Sequence, residues 1–278
     1  MTKLISPYNI LTNRGKLVES KNLQSELSIG EILTQTFNLY SRNFAQYLIP
    51  FLAAGILTGL VTIAVRSTII IPAAPVHPTS QQLLAWFPTY LTATVTSLFL
   101  SGIVSWIASS ITSGITIKYT SDMLEKGQAN LQTSLNFTLP KLLLLLAASI
   151  ITGVLIVLGL IVFIVPGIIL AIMFSLVYPA IMLDGTGVLG SLSRSRVLVS
   201  NRWLKTFALF ILLAIIVAIV NGVAVLIASP FGVVSPLISG VLTTLITPIL
   251  AIAMTLYFYS MKARTLPLPP PPPPAQTF

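Results

Sequence analysis

Long apolar stretches without a single Asp, Glu, Lys or Arg alternate with short polar segments along this chain. The charge-free runs cover residues 43–65, 67–117, 142–183 and 206–261. A helix crossing the roughly 30 Å hydrocarbon core of a bilayer needs about 20 residues. The first run fits one span over 44–65. The second opens with Pro72, Pro75 and Pro78, which exclude a regular helix there. A helix can restart near Thr79, giving a span over 88–117 and a length that implies tilt or projection from the bilayer. The third run is twice too long for one crossing and carries Pro166-Gly167 at its middle. Pro-Gly is turn chemistry, so the pattern predicts spans over 141–164 and 167–183, with a single kinked helix as the alternative. In the fourth run "SPFGVVSP" (229–236) separates spans over 204–228 and 237–259. Six transmembrane helices result.

Composition agrees with a membrane location. The chain of 278 residues is 55% apolar and 8% charged, with mean hydropathy +0.96, whereas soluble domains are about 25% charged. There is no cysteine, hence no disulfide framework or thiolate metal site. A net charge of +9 in a soluble protein would suggest nucleic acid. Here the charges sit elsewhere. With the N-terminus in the cytoplasm, the segments 1–43, 118–141, 184–205 and 260–278 face inward. They hold 14 of the 15 Lys and Arg, Arg66 being the exception, and all six acids. That bias follows the positive-inside rule, and the basic residues fall beside anionic headgroups. No nucleic acid is needed to explain them. Residues 1–27 are polar and lack the apolar core of a signal peptide, so the chain's own helices are expected to direct insertion.

A semi-polar approach precedes each outward-going span. "TQTFNLYSRNFAQYL" (34–48) and "SRSRVLVSNRWLKTF" (193–207) align at an offset of 159, matching Thr34 with Ser193, Thr36 with Ser195, Leu39 with Leu198 and Ser41 with Ser200. The approach "QTSLNFTLPKLLLLL" (132–146) matches more weakly, through Thr36/Ser134 and Asn38/Asn136. The expected architecture is therefore all-α and polytopic: three parallel pseudo-repeated hairpins, each led by a cytoplasmic amphipathic helix. Ser28-Ile29-Gly30-Glu31 reads as a capping box for the first approach. Ile29, Ile32, Leu33, Phe37, Tyr40 and Phe44 share one face of it, suited to the membrane interface or to docking on the other approaches.

Three segments carry a family resemblance: "SIGEILTQTFNLYSRNF", "GLIVFIVPGIILAIMFSLVYPAIML" and "GSLSRSRVLVSNRWLKTFALF". Together they resemble the six-helix membrane domain fused to some bacterial glycerophosphodiester phosphodiesterases, also found as stand-alone bacterial and archaeal membrane proteins. The resemblance covers about residues 28–260. It implies a six-helix membrane domain in a prokaryotic plasma membrane and no catalytic residues, because the phosphodiesterase chemistry belongs to a separate barrel domain missing here.

Candidate chemistry is sparse. The acids Glu19, Glu26, Glu31, Asp122, Glu125 and Asp184 all lie outside the span interiors. Asp122 and Glu125 read as a solvated helix end. His77 falls in the proline-rich outer loop. Gly185 and Gly187 follow no strand, as a phosphate loop would require, and instead end the fourth span. Neither catalytic residues, metal ligands nor a cofactor are expected. Arg196 falls on the apolar face formed by Leu189, Leu192, Val199 and Trp203, where it snorkels to headgroups or pairs with Asp184 or Glu31. We expect a structural ion pair between Asp184 and Arg196. The tail 262–278 contains six consecutive prolines and favours polyproline II; Arg264, Leu266, Pro267 and Pro270 fit a spacing read by SH3-type grooves, although a tail without a dedicated partner is the simpler reading.

The second span carries a rail of hydroxyls: Ser97, Ser101, Ser105, Ser109 and Ser113. Each four-residue step turns about 400°, so the line drifts roughly 40° per step around the helix. A straight pore wall needs no such geometry, whereas helix packing uses this ridge, and each hydroxyl can bond back to the carbonyl four residues earlier. The rail is read as a packing seam, with a polar pathway as the alternative. The function expected is a non-enzymatic membrane module that organises lipid or a protein assembly, with membrane lipids, a protein partner or a second copy as its contacts. A transporter of lipid-like or small neutral cargo is the alternative.

Overall fold

The computed structural model describes residues 25–265; residues 1–24 and the polyproline part of the tail lie outside them. The described chain is helical, without a strand. Five helical stretches are long and apolar enough to cross a membrane: Phe44–Thr68, Ser80–Lys126, Leu131–Val162, Ile164–Leu183 and Trp203–Thr265.

Helix α1 (Ile29–Arg42) starts at the capping box: Ser28 accepts from the Glu31 amide, and Glu31 accepts from the Ser28 amide. It does not lie free in the interface. Ile32, Thr36, Leu39 and Tyr40 are buried, while Phe37 and Phe44 stay exposed. Helix α2 (Phe44–Thr68) follows. Helix α3 (Ser80–Lys126) opens on a second capping box, Thr79 with Gln82, and runs 47 residues before Gly127 ends it in the left-handed conformation at φ 68°. At 1.5 Å per residue it is roughly 70 Å long, so the predicted span and the charged segment after it form one rod.

Short α4 (Leu131–Thr138) leads through a 3-10 turn (Leu139–Lys141) into α5 (Leu142–Val162). Phe163 is extended, at φ −162° and ψ 154°, and α6 (Ile164–Met173) then returns along α5. Two observations establish the reversal. A Cβ on Gly159 would lie 2.9 Å from Cα of Gly167, and Lys141 Nζ donates to the carbonyls of Ile181 and Met182 at 3.4 and 3.0 Å. A single kinked helix is thereby excluded. The turn is nevertheless not at Pro166-Gly167. Pro166 sits in the first turn of α6, where no amide is needed. Gly167 serves the close approach to Leu160, whose backbone nitrogen would be 2.8 Å from an added Cβ.

The chain continues through α7 (Val177–Leu183), α8 (Val188–Val199) and α9 (Trp203–Ala228). A 3-10 segment (Ser229–Val234) follows, kinked at Gly232, whose φ 54° and ψ −119° are open to glycine. Helices α10 (Ser235–Thr244) and α11 (Thr247–Thr265) complete the fold.

Between α2 and α10 the backbones touch. Added Cβ atoms on Gly55 and Gly59 would lie 3.0 Å from the Gly240 carbonyl oxygen and 3.0 Å from Leu237 Cα. This is a Gly-x-x-x-Gly contact, which lets dispersion act at short range where lipid offers no hydrophobic driving force. Most buried residues cluster toward the other, charge-bearing end, among them Ile32, Tyr47, Tyr119, Leu198, Ile252, Tyr257 and Phe258. Ion pairs close that end. Asp184 meets Arg194 and Lys262, each at 2.7 Å. Glu26 meets Arg202 at 2.8 Å and Lys205 at 2.6 Å. Asp122 meets Lys118 and Lys126 at 2.9 and 2.6 Å.

Candidate functional site: a cavity between two broken helices

Two spans are interrupted at comparable points. Helices α6 and α7 are separated at Phe174–Leu176, and α10 and α11 at Leu245–Ile246. The sequences around the breaks are alike: Ser175-Leu-Val-Tyr-Pro179 and Thr244-Leu-Ile-Thr-Pro248. Each proline lacks the amide that would bond to the residue four before it, Ser175 or Thr244, and each occupies the first turn of the helix that follows. Backbone freed inside a membrane must find other partners. Ser195 of α8 supplies them at the first break: its hydroxyl donates to the Met173 carbonyl at 2.7 Å and accepts from the Leu176 amide at 3.0 Å. At the second break, the Tyr40 hydroxyl of α1 donates to the Leu245 carbonyl at 2.6 Å. Each break is thus held by a side chain from an approach helix.

A cavity of about 190 Å³ lies between the breaks, roughly six times a water molecule's share of the liquid. Ser113 and Ile117 of α3 line one wall, Ser175 and Tyr178 a second, Phe210 and Met254 a third. Thr247 and Leu250 also line it and are exposed on the bundle's outer surface, so the cavity communicates laterally. The lining contains no carboxylate, amine, guanidinium or imidazole. Its polarity comes from neutral hydroxyls. Tyr178 is engaged with Ser110, hydroxyl to hydroxyl at 3.0 Å, whereas the Ser175 hydroxyl is buried without a hydrogen-bond partner. Such a surface can hold an apolar chain or a small neutral group. Tyr178 is the one titratable side chain in this lining.

The serine rail reaches this cavity only at its last member, Ser113. Ser97 is buried, Ser101 and Ser113 are half-buried, and Ser105 and Ser109 are exposed. The line drifts around the helix, so within one chain it is no continuous seam. The expected bond to the carbonyl four residues earlier forms at Ser101, to Ser97 at 2.6 Å, and at Ser105, to Ser101 at 2.8 Å; Ser109 donates instead three residues back, to Trp106 at 2.9 Å, and the Ser97 hydroxyl has no partner. The interhelical contacts run instead through tyrosine–hydroxyl pairs. Tyr47 meets Thr120 at 3.0 Å, Tyr259 meets Ser121 at 2.8 Å, and Tyr257 meets Thr206. Tyrosines just inside the ends of the apolar runs, opposite Ser or Thr, were the available signal.

The expected Asp184–Arg196 pair is replaced. Asp184 takes Arg194 and Lys262, and Arg196 is exposed. Burial works against the Asp184 charge, but Lys262 and Arg194 outweigh it and hold the carboxyl below the usual range. The reason for the change is the inward face of α8. Ser191, Leu192, Ser195, Leu198 and Val199 are buried, whereas Leu189 points outward. The small hydroxyls turn inward to serve backbone, which rotates Arg194 toward Asp184. Asp122 also departs from expectation: it is buried and paired rather than solvated. His77 is exposed in its loop at φ 52°. Among the described residues no three His, Cys, Asp or Glu side chains are grouped to hold a metal.

Compared with family models, curated proteins and solved structures, the chain has no match in any of the three. Its function is therefore argued from the geometry.

Proposed function

We propose that this chain is a non-enzymatic membrane module that organises lipid, taking an apolar chain into the lateral cavity between its two broken spans. The observation that carries the reading is the cavity's lining: apolar walls, neutral hydroxyls, and an opening at Thr247 and Leu250 on the outer surface. An ion-coupled carrier places charged groups in its path despite their cost, and these walls hold no carboxylate, amine, guanidinium or imidazole.

In this proposal Trp203–Thr265 supplies two crossings, the chain reversing at the Gly232 kink, and the spans number six. Both ends then lie on the cytoplasmic side of a prokaryotic plasma membrane, as the clustering of Lys and Arg favours. Three parallel hairpins are supported by burial: the aligned Thr36, Ser134 and Ser195 are each 0% exposed. The likeness to the phosphodiesterase-associated membrane domain belongs to the same proposal and brings no activity with it.

Transport of lipid-like or small neutral cargo is the second reading, favoured by the paired helix breaks, which carriers place beside their substrates. Native mass spectrometry of the full chain released from nanodiscs separates the two. Bound lipid should survive in the wild type and fall in Ala251→Phe, which fills the cavity, with the thermal midpoint unchanged. Selective uptake of a neutral solute into vesicles by a chain that retains no lipid would overturn the organiser reading.

A further inference from the structure

At the charge-bearing end a second cavity, about 430 Å³, is lined by Arg196, Val197, Ser200, Asn201, Arg264 and Thr265. Its chemistry is the reverse of the first. Six other cations at this end are matched to carboxylates: Lys118 and Lys126 to Asp122, Arg194 and Lys262 to Asp184, Arg202 and Lys205 to Glu26. Arg196 and Arg264 have no carboxylate partner among the described residues, and no acid lines the cavity.

Arg264 is fixed in place. One terminal nitrogen donates to the Leu198 carbonyl at 3.3 Å and to the Ser200 carbonyl at 2.7 Å, at the C-terminal end of α8. Its Nε is buried and lacks a partner. A guanidinium carries five donors in a rigid fork suited to phosphate oxygens. Arg196 is exposed on the same cavity, and Ser200 and Asn201 add hydroxyl and amide donors, while the Thr265 hydroxyl donates to the Lys262 carbonyl at 2.9 Å. Asn201 holds the left-handed conformation at φ 63°, which turns the chain between α8 and α9 beside the cavity. The lining itself holds one apolar residue, Val197, 52% exposed, and the helices on either side of the α8–α9 turn expose Leu189 and Leu204, at 74% and 84%. A headgroup oxyanion at the arginines with acyl chains against these residues satisfies both surfaces.

We infer that Arg196 and Arg264 form a binding site for the phosphate of an anionic lipid headgroup. The inference rests on the reading of the chain as a lipid-organising membrane module and names the headgroup class it selects. A phosphate diester with net negative charge is preferred over a zwitterionic headgroup, whose ammonium would approach the two guanidinium groups.

The test uses the full chain in nanodiscs and in detergent. Phosphatidylglycerol, phosphatidylcholine and inorganic phosphate are titrated separately against wild type, Arg196→Gln, Arg264→Lys and Ala251→Phe, with binding read by native mass spectrometry and thermal shift. Wild type should prefer phosphatidylglycerol over phosphatidylcholine. Arg196→Gln should lower phosphatidylglycerol affinity roughly fivefold. Arg264→Lys keeps charge and loses the fork, and should weaken the preference while remaining folded. Ala251→Phe should lower total lipid retention and leave the headgroup preference intact. Equal phosphatidylglycerol binding by wild type and both arginine variants overturns the site and leaves the acyl-chain cavity standing. Protection by inorganic phosphate equal to that by phosphatidylglycerol also overturns it, since the site would then take free phosphate. A rise in phosphatidylglycerol affinity on Glu19→Gln overturns it too, because an internal carboxylate would be the occupant. Absence of retained lipid on wild type in every arm sinks both proposals.

Discussion

The two halves of α3 are one continuous helix with the same vocabulary of Ser, Thr, Gly and aliphatic residues, yet they behave differently. From Ser80 to Ser109 only Ser97 and Ala108 are buried, whereas from Ser110 to Leu124 most residues are. In the first half the hydroxyls mainly serve their own helix, as at Ser101 and Ser105. In the second they also reach across: Ser110 to Tyr178, Thr120 to Tyr47, Ser121 to Tyr259. A hydroxyl count does not distinguish the halves. What differs is the neighbour: an aromatic hydroxyl on a facing helix converts a back-bonded serine into an interhelical tie.

The largest effect should come from placing one substitution in both halves. Gly114→Leu inserts a side chain where an added Cβ already lies 2.4 Å from Thr138 Cγ2, while Gly102 has nothing within 4 Å. Gly114→Leu should cost about 3 kcal/mol or more by overpacking. Gly102→Leu should be neutral or stabilise by up to roughly 1 kcal/mol through helix propensity. Thermal unfolding in detergent compares them, and equal losses would erase the distinction between the halves. A smaller effect is expected from hydroxyls. Thr120→Val should cost about 0.6–1.7 kcal/mol, the range for interhelical hydrogen bonds in membranes, and Ser105→Ala close to zero; a double-mutant cycle with Tyr47→Phe isolates the tie. Ser105→Leu and Ser109→Leu should also be tolerated by a monomer, since both positions are exposed. If they instead reduce a cross-linked dimer, the rail is a seam between copies.

The smallest effect is electrostatic and confined to the packed end. Hydrogen bonds from Arg202, then Lys205, hold the Glu26 carboxyl down at about 2 against a partial opposing effect of burial. A depressed carboxylate contributes fully above its unfolded value near 4.5 and loses that contribution as pH falls toward 2. Acid should therefore loosen the contact of residues 26–27 with α9, and Glu26→Gln should flatten that pH dependence. The pair is half-exposed, so the gain is under about 1 kcal/mol at neutral pH. Hydrogen exchange of the Leu27 amide, bonded to Ser260 at 2.8 Å, reports it.

The helical class and the presence of several apolar helices long enough to cross a membrane were legible because charge-free length is a property of single segments. The Ser28 capping box and the Gly185 terminator were legible for the same local reason. Relations between segments were harder to read. Pro166-Gly167 resembles a turn but forms the start of α6, because first-turn proline and close-approach glycine share a spelling with turn chemistry. Arg196 looked like the partner of Asp184 because the wheel of α8 was oriented by its leucines; the buried face includes two serines whose hydroxyls serve backbone. The Gly55-x-x-x-Gly59 contact was present in the sequence, but nothing local marks Leu237 and Gly240 as its partners. The cavity was invisible for a related reason: it exists only where two proline-induced breaks face each other.

That cavity carries the functional account, and its lining reaches the outer surface at Thr247 and Leu250. The most direct measurement is photocrosslinking of the full chain in nanodiscs with a lipid bearing a diazirine near mid-chain, followed by peptide mapping. The account predicts labelling concentrated on Phe210, Leu250, Met254 and Tyr178, and its loss in Ala251→Phe. Labelling spread evenly over outward residues such as Leu98, Phe99 and Leu226, and unchanged by Ala251→Phe, would contradict it.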